Sequence, residues 1–507
     1  MKKILSFFLI SGAAVCSSVI SQESTSQSIS VLVYNVENLF DLDGKAMFSD
    51  YQQDPSKAYP YNPQRFYTKV SNHAEVIRAF DHGKGPDIVA IQEFEVDFTP
   101  DPEFNLVATL ERYQDISLKT LLLEKWDETV AQFPVEFFLM KRLKELGLDD
   151  YQFHSPEFRT DWWDRGIAHR CVYLSRFSAV SENQYRIDQA RDIFEVTFDV
   201  LGQRLTIFNN HWKSGASSAD REPTRIQNAR TLREVLDDKL SEDREADVLL
   251  VGDFNTHHNQ RLRLNVEETA IDDVLGSQSR EVALVEGDAD LYNLWYELPA
   301  EERGSEVWRG EWGTLMQIIA TPGLYDTVGL QYVDQSFGIH KIDGLNYDPE
   351  TDQPIRWEPL GKGSGASDHL PVFARFRVQM GEGSLKEIEL GALGREEDKE
   401  HIPIKLDYSL NWENVSTDPQ SLAEASEHEL SQSMGKRFLV ETKISGGRIE
   451  WGDDSFTIYS FDPEIFSIIR EWEEGENVKF VGEFGVYREQ LQFLIHDQSW
   501  IYLEDQP

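Results

Sequence analysis

Three short apolar, β-branched runs stand out along the chain, at residues 30–34, 87–91 and 248–251, and each stops abruptly in polar residues. The polar ends read Asn35-Val36-Glu37, Gln92-Glu93 and Gly252-Asp253-Phe254-Asn255. Continuous apolar runs of this length predict strands buried on both faces, as in layered α/β folds that place polar residues at the strand ends. Between the runs the period changes. Val70, Ala74, Ile77 and Phe80 recur at helical spacing and predict a helix over 67–81, and 137–146 and 226–240 read the same way. Further strands are predicted at 171–174, 194–200, 205–209 and 372–377. The stretch 97–133 reads as an insertion.

After residue 378 the pattern weakens. Residues 379–434 are rich in Glu, Ser, Asp and Gly and read as an acidic linker or irregular subdomain. Alternation returns at 437–444, 455–460, 477–486 and 491–496, with a short helix at 463–472. Strands around one helix in 435–507 predict a small closed barrel of the OB type. At the other end, Lys2 and Lys3 precede an apolar run that is too short to span a membrane and is followed by small residues. This is the layout of a signal peptide over 1–21, so the chain is expected to be secreted or periplasmic. Lipid attachment at Cys16 is the alternative. No later segment is apolar enough for stable membrane insertion, and no protein partner is evident.

Composition narrows the classes. The 507 residues include 49 Lys and Arg against 90 Asp and Glu, a net charge of −41. A scaffold held on nucleic acid by charge alone is excluded. Two cysteines exclude a disulfide-stapled fold. Against this background residues 159–233 stand apart, because twelve basic residues face nine acidic ones there, a local charge of about +3. That stretch surrounds Asn209-Asn210-His211-Trp212-Lys213. A positive lining in an acidic chain fits an anionic substrate, and Arg165, Asn210 and Lys213 are the candidate substrate contacts.

The chemistry-bearing residues fall at strand ends: Asn35 and Glu37, then Glu93, then His211, then Asp253 and Asn255, then Asp368-His369. Carboxylates and amides are hard donors suited to Mg²⁺ or Mn²⁺. An aspartate can orient or deprotonate water, and histidines can contact a phosphate or move a proton. His257-His258 read as solvated loop residues. Gly361 to Gly365 lack phosphate-loop spacing.

In this order the clusters resemble the endonuclease/exonuclease/phosphatase superfamily over residues 28–378. The resemblance implies a four-layered α/β sandwich, to be followed by the OB-like β-barrel. It implies Glu93 as principal metal ligand, with Asn35, Glu37 and Asp368 on the metal side. It implies His211 on the scissile phosphate, Asp253 and Asn255 on water, and His369 as a phosphate-contacting or proton-transferring histidine. One position departs from the family pattern. Met316 stands where an aspartate orienting the last histidine is expected, with Asp326 or Asp343 as substitutes. The function implied is a secreted, divalent-metal-dependent phosphodiesterase, foremost a nuclease with nucleic acid as substrate. The alternatives are a phosphatase or phospholipid phosphodiesterase of the same superfamily, or a non-catalytic binding protein on that fold.

Overall fold

The structure, a computed structural model, describes residues 25–358, 360, 363–381, 384–388, 400–487 and 490–501. The signal-peptide segment, Cys16 and parts of the acidic linker lie outside the described residues, as do Gly361 and Lys362. No helix among the described residues is long and apolar enough to cross a membrane.

Two mixed sheets carry the first domain. The first runs, in spatial order, Leu330–Tyr332, Val372–Met380, Thr25–Leu39, Ile88–Glu95, His169–Ser175 and Gln152–His154, with Gly338–Ile339 added beside Val372–Met380. The second runs Ala179–Tyr185, Ile193–Val200, Gln203–His211, Val248–Asp253, Met316–Ala320 and Tyr292–Asn293. Side-chain parity explains how they stack. In Thr25–Leu39, Ile29, Val31 and Val33 join one core, while Leu32, Tyr34 and Val36 join another. The first core lies between the sheets and also receives Leu205, Ile207, Leu249 and Val251. The second lies under the helices Pro63–Ala79 and Val135–Glu145, whose Phe66, Val70, Ala74, Ile77, Phe138 and Leu139 fill it. A third core forms where Val248 and Leu250 meet Ala229, Leu232 and Leu236 of the helix Glu222–Glu242. Both faces of each central strand are thus covered, which is why these strands read as unbroken apolar runs. The layers are helix, sheet, sheet, helix. The stretch expected as an insertion folds as three short helices, Leu106–Arg112, Leu118–Leu123 and Glu128–Ala131, packed on the outer core of the first sheet.

Asn209 ties the two sheets together. It stands on the second sheet with the parity of Leu205 and Ile207, so its amide enters the inter-sheet layer. There it donates to the carbonyls of Ile91 (3.2 Å) and Val172 (3.1 Å) and accepts from Gln92 Nε2 (2.6 Å). The pairing of Ile88–Glu95 with His169–Ser175 breaks register between Ile91 and Phe94 at this point. A bulge interrupts the ladder there, and a buried amide meets the backbone carbonyls beside it.

The C-terminal strands lie close to their expected places, at Arg437–Lys443, Asp454–Tyr459, Asn477–Tyr487 and Gln490–Leu494, with a helix at Pro463–Glu471 and one further strand at Arg448–Trp451. The expected closed barrel is not found. The sheet has two ends, in the order Val415–Ser416, Arg437–Lys443, Asn477–Tyr487, Gln490–Leu494, Asp454–Tyr459, Arg448–Trp451. Among the described residues only the isolated Ser445–Arg448 bridge, just past the end of Arg437–Lys443, connects that strand's side of the sheet to Arg448–Trp451, at a turn through Gly446 and Gly447. The sheet curls around Phe456, Phe480, Phe484 and Phe493 without continuous pairing at its seam.

Part of the stretch expected as a linker is a packed strap. Trp312 N donates to Ile404 O and Leu406 N to Gly310 O, each at 2.8 Å, and Leu406 packs with Trp312 and Leu370. Trp500 Nε1 then donates to Tyr408 O (2.8 Å). Residues 404–408 therefore bind both the first domain and the curled sheet. The Arg65–Glu427 ion pair and the Trp308–Phe461 ring contact (5.9 Å) add to the same interface.

Replacing Asn209 by Leu removes its hydrogen bonds to two buried carbonyls and leaves the Gln92 amide only its bond to Ala90 O inside the inter-sheet layer. The expected loss is about 2–4 kcal/mol of unfolding free energy, read by urea denaturation. Arg230→Ala, which removes an exposed pair with Glu268, is expected to stay within about 0.5 kcal/mol and is the control.

Candidate active site

The site forms at one end of the inter-sheet layer, where parity brings polar residues to the positions that hold apolar ones further along each strand. Asn35 continues the face of Val31 and Val33. Asp253 continues that of Leu249 and Val251, and His211 continues that of Leu205, Ile207 and Asn209. Glu93 does not share this parity, since Val89 and Ile91 face the helices. Its φ of +60° at the bulge turns it back toward the cluster. Asn255 (φ +48°), Glu37 (φ +41°) and Asn38 (φ +59°) also occupy the left-handed region. Four non-glycine residues in this conformation at one place are a concentration of backbone strain of the kind held at functional sites. Gly252 (φ +129°) is a separate necessity, because a Cβ there would stand 2.0 Å from Asn210 O.

The hub is Asp253. Its Oδ1 accepts the Asn255 backbone N–H (2.8 Å), an Asx turn that fixes the carboxylate. Its Oδ2 accepts from Asn35 Nδ2 (3.1 Å) and lies 3.5 Å from His211 Nε2 and 3.9 Å from His369 Nε2. Asn35 Nδ2 also donates to Glu93 Oε1 (3.2 Å), and Asn38 N donates to Glu93 Oε2 (3.0 Å). Ligand-capable atoms of Glu93, His211 and Asp253 lie within 4.8 Å of one another. Asn35 turns its amide nitrogen to this cluster, while its oxygen accepts from Glu37 N (3.0 Å).

Burial sets the protonation logic. It raises the carboxyls of Glu93 and Asp253; Asp368 adds to the rise at Glu93, and His369 opposes the rise at Asp253. His211 is held neutral well below the usual imidazole range, first by burial, then by the charges of Arg191, His169 and His369. His369 goes the other way. Burial opposes its charge, but Asp368, Asp253, Glu306 and Glu93 outweigh that and lift it to about 9. One neutral and one charged imidazole therefore flank Asp253.

Glu306 is the carboxylate that the sequence reading missed. Its Oε2 lies 3.8 Å from His369 Nδ1, and a backbone bridge pairs the two residues. Leu315 N donates to both of its oxygens (3.3 and 3.2 Å), and burial raises it to about 7. It is the carboxylate that faces the His369 ring where an aspartate near Met316 is expected, although at 3.8 Å it makes no hydrogen bond to Nδ1. Met316 itself pairs in register with Asp253 but faces the inter-sheet core with Ile318 and Ala320. Neither Asp326 nor Asp343 forms an ion pair with His369 among the described residues; Asp326 caps Val328 N instead. A signal was available in the sequence. Glu306 opens a hairpin, Glu306–Trp308 with Glu311–Gly313, turned by Arg309 and Gly310, both at positive φ.

Other expected residues are placed differently. Glu37 is not part of the cluster. Arg356 Nε donates to its Oε1 (3.0 Å), and Trp357 N (3.1 Å) and Asp368 N (3.0 Å) donate to its Oε2. Both its oxygens are thus taken, and Glu37 serves to fix the loop that carries Asp368. Asp368 is half-exposed at the rim, 3.9 Å from His369 Nε2. Asn210 is fully buried and bonded to Trp212 Nε1 and to the carbonyls of Phe208 and Val251, so it supports the strand end. Arg165 is spent on Asp192 (3.2 Å) and Ile187 O (3.0 Å). The side chain of Lys213 carries no ion pair among the described residues, and partial burial with Arg221 and Arg191 nearby lowers its ammonium. The cation that the sequence did not single out is Arg191. It has no carboxylate partner among the described residues, and Nη2 rests 3.3 Å from His169 Nδ1, whose ring stacks on His211 at 6.5 Å. His257 and His258 are not solvated. His257 Nδ1 accepts Thr314 N (3.1 Å), and His258 is buried against Tyr296.

Residues 158–378 match the family described as Endonuclease/Exonuclease/phosphatase family. The match takes in His211, Asp253, Asn255, Asp368 and His369, and covers less than half of the chain. No curated protein matches. Among solved structures, truncated TDP2 from Caenorhabditis elegans aligns over 69% of this chain and 97% of its own, with 12% identity and a TM-score of 0.36. D. rerio TDP2 complexed with a single strand DNA product aligns over 69% and 98%, with 13% identity and 0.36. An endonuclease/exonuclease/phosphatase family protein from Bacteroides thetaiotaomicron aligns over 71% and 99%, again with 13% identity and 0.36.

Glu306→Gln removes one of the negative charges that hold His369 protonated. Its imidazole is expected to titrate below about 9, read from the ring proton shift of metal-free protein with His369→Ala for assignment. An unchanged titration would detach Glu306 from His369.

Proposed function

We propose that the chain is a divalent-metal-dependent phosphodiesterase, foremost a nuclease, exported from the cytoplasm as its N-terminal sequence implies. The observation that carries this reading is the convergence of Glu93 and Asp253 from two different sheets on one amide, Asn35, between a neutral and a charged histidine. A buried carboxylate and a partly buried one so close repel each other and lose solvation, so a cation that returns both to the charged state fits the donor set. Glu93 would hold that Mg²⁺ or Mn²⁺, with Asp368 on the open side, and the ion would stabilise charge developing on phosphoryl oxygens.

The protein's own groups account for the rest. Asp253, fixed by the Asn255 N–H, orients the attacking water and accepts a proton from it. His211, neutral, offers a hydrogen-bond donor to a phosphoryl oxygen without carrying charge. His369, protonated and oriented by Glu306, stabilises negative charge and can hand a proton to a leaving oxygen. Arg191 and Lys213 are the cations available for flanking phosphates.

The purified chain, given Mg²⁺ or Mn²⁺, is expected to nick plasmid DNA, with a loss of about 10²–10³-fold in His211→Ala and Asp253→Ala. An inositol phosphate and sphingomyelin are assayed alongside. Cleavage confined to one of these would move the substrate class and keep the site. No turnover of any of the three would overturn the enzymatic reading.

A further inference from the structure

A second group of carboxylates lies outside the catalytic cluster. Ligand-capable atoms of Glu281, Glu297 and Asp334 come within 4.8 Å of one another. The three arrive from different places: Glu281 opens the helix Glu281–Glu286, Glu297 ends the turn Leu294–Glu297, and Asp334 follows the strand Leu330–Tyr332. None has an ion pair with a basic side chain among the described residues. Glu281 and Glu297 are buried, and Asp334 is half-buried at the mouth.

The polar groups around them are incompletely satisfied. Glu281 is 2% exposed and its Oε1 meets no donor within ordinary hydrogen-bond distance; the buried Tyr325 hydroxyl, itself without a partner at that distance, is the donor that faces Glu281. The electrostatic field of Glu281 and Glu297 reaches that hydroxyl. Glu297 uses one oxygen for Tyr292 OH (2.7 Å) and the other for Gln335 N (3.1 Å). A sealed carboxylate oxygen faced only by a hydroxyl beyond ordinary hydrogen-bond distance is a costly feature unless something positive meets it. The location gives such an ion something to do. Tyr292–Asn293 is the terminal strand of the second sheet and Leu330–Tyr332 the terminal strand of the first. Both sheets therefore end beside this cluster.

We propose that Glu281, Glu297 and Asp334 bind a divalent cation, calcium by the chemistry of an all-oxygen donor set, and that this ion clamps the edges of the two sheets together. Three hard carboxylates with water at the open side suit an ion that takes six to eight oxygens. The site contains no nitrogen or sulfur ligand that would favour zinc or copper. It does no chemistry on substrate. It closes the side of the sandwich from which residues 298–306 lead to the Glu306 hairpin.

Terbium reports on this site directly, because Tyr292 and Tyr325 lie beside it and can sensitise the ion's emission. The full chain is titrated with Tb³⁺, and Ca²⁺ is then added in competition. Sensitised emission that Ca²⁺ displaces is expected in wild type and in Asp253→Asn, with affinity at least about tenfold weaker in Glu297→Gln and Asp334→Asn. Asp334→Asn is the safer variant, since Asp334 is half-buried in a loop. Ca²⁺ is also expected to raise the unfolding temperature of wild type and of Asp253→Asn, but not that of Asp334→Asn. Emission that disappears in Asp253→Asn and is unchanged in Asp334→Asn would overturn the proposal. So would a Ca²⁺-induced shift that is the same in wild type and Asp334→Asn.

Discussion

The structure turns on side-chain parity in the layer between the two sheets. Along Thr25–Leu39, Gln203–His211 and Val248–Asp253, every second residue enters that layer, and over most of its length these residues are aliphatic. At one end the same parity delivers Asn35, His211 and Asp253. The residues that make the core and those that make the site are therefore the same face of the same strands, a few ångströms apart. The hydrophobic layer positions Asp253 and His211 because it cannot slip register: a one-residue shift would expel Leu249 and Val251 as well as the carboxylate.

Glu93 shows what parity alone could not supply. A regular strand would have sent it to the helix side with Val89 and Ile91. The bulge between Ile91 and Phe94, with Glu93 in the left-handed region, reverses its direction. That irregularity leaves polar backbone beside the inter-sheet layer, and the Asn209 amide accounts for it by bonding Ile91 O and Val172 O. The strained turn at Glu93 and the buried amide across from it belong together. An apolar residue at 209 would leave the bulge with backbone it could not satisfy.

This arrangement also explains which parts of the sequence were legible. Buried strands and amphipathic helices are written in local periodicity, so the runs at 30–34, 87–91 and 248–251 and the helix over 226–240 mark elements that the structure extends by a few residues. Polar residues just beyond those runs, Glu93, His211 and Asp253 above all, do converge. Roles that depend on partners distant in sequence were not legible. Asn210 and Arg165 look like substrate contacts until Trp212, Asp192 and Ile187 take up their hydrogen bonds. Glu37 looks like a ligand until Arg356, more than three hundred residues away, closes on it. Glu306 is not legible in this way: the strand that pairs with Asp253 offers only Met316, which faces the core, while the carboxylate facing His369 comes from a hairpin outside that sheet. Strand count predicts a closed barrel but does not encode whether a sheet's last edges pair.

Charge gives the site its final constraint. A chain with a net charge of −41 would repel the proposed phosphate substrate at long range, and screening at physiological salt confines that repulsion to about 8 Å. Binding of such a substrate would then be won at short range, by few groups in a desolvated place. Arg191 and Lys213, together with the protonated His369, are such groups, and each is within or beside the buried cluster and not spread over the surface. His369 is charged only because Asp368, Asp253, Glu306 and Glu93 surround it, so the acidity that opposes an anion from a distance sustains one of the cations that would receive it. Two of the carboxylates that hold that proton, Glu93 and Asp368, are those proposed to meet a metal ion. The site is accordingly a balance of buried opposite charges, and Glu306, which touches neither of the proposed metal-side carboxylates Glu93 and Asp368, sets how that balance falls on His369.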